Sequence, residues 1–194
     1  LAAALRLAYD PAVSAIVEAA GLGAVSWEDC GPVSADEGLD RYAHDGAVSV
    51  TWMMTSPPRG AVQSGILIPL LAPHPDVARK RVSLLYRPYT PGQAASLVDR
   101  DHRDAIFRAR NRKIPNGGDL QNLQAADQAT REDARGAGLV RFGMIVTATV
   151  DARQSDAVAL AEAAVEGLAT ASRVVLRKAW RTQATAFLAG LPLG

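Results

Sequence analysis

The side chains from which a site would be built are few. There are three histidines (His44, His74 and His102), one cysteine (Cys30) and three lysines (Lys80, Lys113 and Lys178). A phosphate-cradling P-loop needs Lys directly after Gly, because the loop backbone holds the phosphates while the amine reaches them. Each of these lysines follows an Arg, so this stretch of sequence holds no P-loop. A nucleophile elbow needs Gly-x-Ser-x-Gly, and Ser64 is followed at once by Gly65. Gly21-x-Gly23 is half of a dinucleotide fingerprint, but Ser26 stands where the third glycine belongs and the pair follows a helical pattern, so it reads as a helix stop. His102 has Asp99 three residues before it, which could set two metal ligands on one helical face. The interleaved Arg100 and Arg103 favour a solvated, salt-bridged face instead. Cys30 has no nearby His to activate it and reads as an inert thiol. No cofactor or metal site is expected.

One charge concentration stands out. Residues 100–113 carry Arg100, Arg103, Arg108, Arg110, Arg112 and Lys113 against Asp101 and Asp104. Arg108 and Arg112 lie four apart, on one helical face. The plain reading is a helix end whose cations suit the C-terminal dipole. The functional reading is a docking spot for an acidic partner, lipid headgroups or DNA phosphates, with Arg103, Arg108, Arg110, Arg112 and Lys113 as the interaction candidates.

The elements that must position these residues follow from periodicity. Residues 1–20 read as helical, stopped by Gly21 and Gly23, and residues 24–45 show no period and read as loop. Val48, Val50, Trp52 and Met54 alternate as a strand; residues 59–72 read as a short buried helix. Val82, Leu84 and Tyr86 mark a second strand ended by Pro88. Pro91 opens a long helix to about Arg112 with an apolar stripe of Ala94, Leu97, Val98, Ala105 and Ile106. Asp119 caps a mostly polar second helix to about Arg135, and Gly136 ends it. Together they predict a helical hairpin standing off the body.

The strand of Val140, Phe142, Met144, Val146, Ala148 and Val150 is the strongest, with all six assigned to the core face. Asp151 is then expected to cap a helix over 153–171, followed by a short strand at Val174–Leu176, a helix over 179–190, and a linker starting at 191–194. The strand Arg141–Val146 carries too few aromatics for a base-stacking RNA-recognition strand. The order strand–helix–strand, hairpin, strand–helix–strand predicts an α+β protein. Its form is a ferredoxin-like split βαβ over residues 46–190, with the helical hairpin at 91–136 inserted between the halves and an N-terminal segment at 1–45. One sheet face is apolar under two helices.

The length of 194 residues suits one large domain or two small ones. A formal charge of +1 disfavours indiscriminate nucleic-acid binding. A single cysteine rules out an internal disulfide, and no apolar run reaches the roughly 18–20 residues of a membrane span. The chain opens on Leu rather than Met, so a piece of a longer protein, with flanking domains or membrane segments outside it, is expected. Only three of the 21 basic residues are Lys, and Ala is abundant, a bias of GC-rich genomes.

The string Arg81-Val-Ser-Leu-Leu-Tyr-Arg-Pro-Tyr89, the polar hairpin, the run Glu132–Phe142 and the ending Gln183–Gly194 resemble actinobacterial transfer proteins of integrative and conjugative elements. Those are in turn similar to the N-terminal, non-ATPase domain of type IV secretion ATPases, in which a phrase like Phe187–Pro192 closes the domain before the motor begins. The resemblance implies a non-catalytic assembly or docking domain at the cytoplasmic face of a membrane apparatus for conjugation or type IV secretion. Its implied partners are a motor ATPase and membrane subunits, with a homo-oligomer open. No catalytic residue carries over. The alternative is a nucleic-acid-binding ferredoxin-like domain that contacts DNA through the basic hairpin region. An enzyme on the same scaffold is the third reading, and the sequence shows no constellation for it.

Overall fold

A computed structural model describes residues 2–10, 26, 28–58, 62–111, 117–136, 138–154 and 156–191. Among these are six strands and six helices: α1 (Ala2–Tyr9), β1 (Ala35–Glu37), β2 (Tyr42–His44), β3 (Ala47–Ser56), α2 (Ile68–Leu71), β4 (Arg79–Pro88), α3 (Pro91–Asn111), α4 (Gly117–Ala134), β5 (Val140–Asp151), α5 (Ala157–Ala171), β6 (Val175–Lys178) and α6 (Gln183–Ala189). The protein is α+β, with one open sheet in the order β1-β2-β3-β5-β4, and β6 also on β3. Every pairing with a resolved register is antiparallel. The chain divides into two compact units, residues 1–84 with 143–194, and residues 85–142.

In the first unit β3 is the organising strand. Along one edge it pairs with β5 from Ala47 to Met53. Its other edge is shared: β2 takes Ala47–Ser49 and β6 takes Trp52–Ser56. The pairs sort the side chains into two faces. One carries Val50, Trp52, Met144, Val146, Ala148 and Val150, all buried. Here α5 packs on β3, β6 and α2, with Ala161, Val165, Ala169 and the fully buried Leu70 inside. This is the apolar face expected from the alternation. Its extent is shorter than expected, because Val140 is exposed and Phe142 half-buried, so the core face of β5 begins at Met144.

The opposite face is covered too, by α6 lying against β3 and β2. Leu5, Ala8 and Tyr9 of α1, Tyr42, Phe187 and Leu191 form a cluster there, and Cys30 packs against it. The Tyr9 and Tyr42 rings sit 5.2 and 5.3 Å from the Phe187 ring, distances at which tilted aromatic pairs attract beyond simple burial. Arg81 stacks over the same ring, 4.6 Å from its centroid, and its Nη2 donates to the Phe187 carbonyl while Ser83 donates to that of Gly190. Arg81 thus adds a side-chain donor to the Phe187 carbonyl, which also accepts the Gly190 N–H, and Ser83 takes up the carbonyl of the C-cap residue Gly190.

Several boundaries differ from expectation, each for a local reason. The stretch read as loop at 24–45 holds β1 and β2, three residues each and too short to show a period. The early helix is seen as Ala2–Tyr9, and residues 11–25 lie outside those described. The buried helix expected at 59–72 is confined to Ile68–Leu71. Asp151 does not cap α5. Its carboxylate is spent on the turn, accepting from the backbone N–H and guanidinium of Arg153, and α5 starts after Asp156. The last helix starts at Gln183 rather than 179. Leu191, expected to begin a linker, is buried in the aromatic cluster.

The second unit holds α3 and α4, which pack on each other, with the adjoining ends of β4 and β5. Ala94, Val98 and Ala105 are buried as the stripe requires. His102 Nε2 and Asp127 Oδ1 lie 2.8 Å apart, tying α3 to α4. Gly136, at φ +81°, takes the left-handed position past the end of α4.

Candidate functional site

The sequence nominated the basic end of α3. Arg103 is exposed, and its Nε donates to the Asp99 carbonyl one turn back. Arg108 and Arg110 fall in the last turns of α3, and Arg112 and Lys113 lie outside the described residues. Arg100 meets Asp101 only loosely, at 3.9 Å. The three histidines sit in three separate environments. His74 Nδ1 accepts from the Asp76 N–H at 3.2 Å, His102 serves the hairpin, and His44 is buried. Among the described residues no group of three potential ligands is placed to hold a metal.

The buried polar residues form an array on the α6 side of the sheet. His44, Ser49, Thr51, Thr147, Thr149 and Gln183 are all under 4% exposed. His44 Nδ1 faces the Tyr9 carbonyl, which can only accept, so Nδ1 carries the proton and Nε2 accepts from the Ser49 hydroxyl at 2.7 Å. Ser49 in turn accepts from Thr149 at 2.7 Å. Burial pushes the His44 pKa below its usual value, against the opposing pull of the Tyr9 bond. A Ser–His pair is the outline of an activated nucleophile, but Ser49 is fully enclosed, so the pair binds strand to strand.

The array ends at a cavity. Asp45 and Gly46, at φ +45° and +78°, make the two-residue turn from β2 to β3. Both central residues of such a hairpin turn need positive φ, which Asp-Gly supplies. The turn places Asp45 as a hub. Its Oδ1 accepts the N–H groups of Val33 and Ser34, each at 2.9 Å, and its Oδ2 accepts Arg6 at 2.6 Å. Arg6 also donates to the Gly31 carbonyl and to Asp10. Burial alone would raise the Asp45 pKa, but the Ser34 and Arg6 bonds hold it below the ordinary carboxylate value. Asp10, Asp45, Arg79, Thr149, Asp151 and Arg153 all line a cavity of about 500 Å³ beside this hub. Sequence reasoning passed over it, although the Asp45-Gly46 dipeptide signals a hairpin and would have ended the loop reading of 24–45.

Comparison with protein-family models, curated proteins and solved structures finds no match to this chain.

Proposed function

We propose that the chain is a non-catalytic assembly and docking domain of a conjugative DNA-transfer or type IV secretion-like apparatus, working at the cytoplasmic face of the membrane. In this reading ATP hydrolysis belongs to another domain or protein. Its partners are the motor ATPase and membrane subunits of the same complex. The observation that carries the reading is the helical hairpin forming a compact unit of its own. Its large apolar side chains include Phe107, 68% exposed, and Tyr86, 65% exposed, apolar surface that a docked partner would cover.

The fold reading that goes with it is a split βαβ. Counted from β3, the four long-range strands run fourth, first, third, second across the sheet, as β6-β3-β5-β4. Two crossovers carry α2 and α5, and the hairpin replaces the middle connection, which supports the ferredoxin-like reading.

The test is a pull-down with the cognate motor ATPase and membrane subunits, using the chain as given and a form lacking residues 91–136. Capture that depends on the hairpin supports docking. Failure of every component to bind either form overturns it.

A further inference from the structure

Strand β6 has an open edge. It pairs with β3, and among the described residues no strand lies along its other side. The register decides which groups face outward. Ala179 donates its N–H to the Thr51 carbonyl at 2.9 Å, and bonded and unbonded residue pairs alternate along an antiparallel ladder. Arg177, opposite Met53, is therefore bonded to β3, while Leu176 and Lys178 turn their N–H and C=O groups away from it. The Lys178 carbonyl is taken by the Trp180 N–H at 2.9 Å. The Leu176 N–H and C=O and the Lys178 N–H remain, a row that a further strand would complete.

The charge along this edge has one sign. Residues 173–181 read Arg-Val-Val-Leu-Arg-Lys-Ala-Trp-Arg, with no acid among them. Lys178 is spent on Glu162 at 2.8 Å. Arg173, Arg177 and Arg181 are exposed, and among the described residues none has a carboxylate within ion-pair distance. Beside them Val175 and Trp180 are each 55% exposed and Met53, across from Arg177, is 40% exposed. A short, charged edge strand guards a protein against pairing with its own copies, since a second β6 laid alongside would set arginine against arginine. That guard repels its own sign alone, and it has no need of the exposed Trp180, a residue type that anchors interfaces together with Arg. A chain of opposite charge meets an attraction where a copy meets repulsion. We propose that the open edge of β6 docks an extended acidic segment of another protein, which adds to the sheet as a further strand and sets its carboxylates against Arg173, Arg177 and Arg181. The surface belongs to the first unit and is independent of the hairpin's docking role.

The experiment titrates the chain with a fluorescein-labelled peptide of alternating Glu and Val, read by anisotropy. The controls are the same peptide with its alternate amides N-methylated, its Lys–Val counterpart, and an oligothymidylate. The Glu–Val peptide is expected to bind saturably and more tightly than every control, with the Leu176 and Lys178 amides slowing in hydrogen exchange when it is bound. Arg177→Glu, at an exposed position, is expected to weaken binding at least about tenfold while circular dichroism shows the fold intact. Absence of saturable binding overturns the proposal. So does an N-methylated peptide that binds as well, which would mean charge attraction without strand addition, an oligothymidylate that binds more tightly, which would make the edge a nucleic-acid surface, or an affinity unchanged in Arg177→Glu.

Discussion

The side-chain amide of Gln183 brackets the peptide of Thr51. Its Oε1 accepts the Thr51 N–H at 2.8 Å and its Nε2 donates to the Thr51 carbonyl at 3.2 Å. Thr51 falls where the shared edge of β3 passes from β2 to β6. A side chain on α6 thus stands in for the strand residue that neither neighbour supplies, and Ala179 adds a second donor to the same carbonyl.

Gln183→Leu should therefore leave the Thr51 N–H buried without an acceptor, while the carbonyl keeps Ala179. The expected loss is about 2 kcal/mol, read as a lower urea midpoint. Gln183→Glu keeps the acceptor but buries a carboxylate against a carbonyl, and should cost more at neutral pH than at mildly acid pH. A Leu variant with the parent midpoint would show that water or a shifted neighbour satisfies the peptide instead.

His44 predicts a pH dependence of stability. Its folded pKa lies below the unfolded value because burial disfavours the imidazolium. Between those two values the unfolded chain binds the proton and the folded chain does not. Stability is thus fully present above about pH 6.5 and is lost as the pH falls below it. Urea titrations across that range should show the fall, and His44→Asn should flatten it. An equal slope in the variant would assign the effect to other groups.

How much of this was legible in the residues depends on length and on which side of the sheet is considered. The alternation in β5 and the stripe in α3 run long enough to declare themselves. On β3 and β5 the partners Ser49, Thr51, Thr147 and Thr149 alternate with the apolar face and, as hydroxyls, carry no apolar signal of their own. In the structure they lie beneath α6, each hydroxyl spent on another buried group. Polar residues become core when their bonds close internally, and no periodicity rule registers that closure across 100 residues. The apolar helices at the two ends of the chain were the available signal, since each needed a surface to cover.

Arg173 offers a stabilising change. At the end of α5 the Val174 N–H reaches the Ala169 carbonyl and the Arg173 N–H reaches that of Thr170, the two bonds of a Schellman ending. The residue between them must be left-handed, and Arg173 sits there at φ +53°. Arg173 is exposed, so Arg173→Gly removes the strain without loss of packing. A gain of about 1 kcal/mol is expected in thermal or urea unfolding. A loss of stability would mean that the arginine side chain contributes more than its backbone costs.

The hairpin gives a more modest expectation. The His102–Asp127 contact joins α3 to α4 while both side chains remain partly exposed, so Asp127→Ala should cost under about 1 kcal/mol. Amide exchange should quicken along α3 and α4 and stay unchanged in β3. A uniform quickening in both units would show that the hairpin does not open by itself.

The sharing of the β3 edge also bears on how the chain is made. Gln183 lies 132 residues beyond Thr51. At ribosomal rates of about 5–20 residues per second, β3 waits on the order of ten seconds for the amide that closes it. Until then the nascent strand offers an open peptide at its midpoint, and the aromatic lid of Phe187 does not yet exist. The peptide at the middle of β3 is therefore closed late, so holding factors that delay collapse would act most strongly on β3.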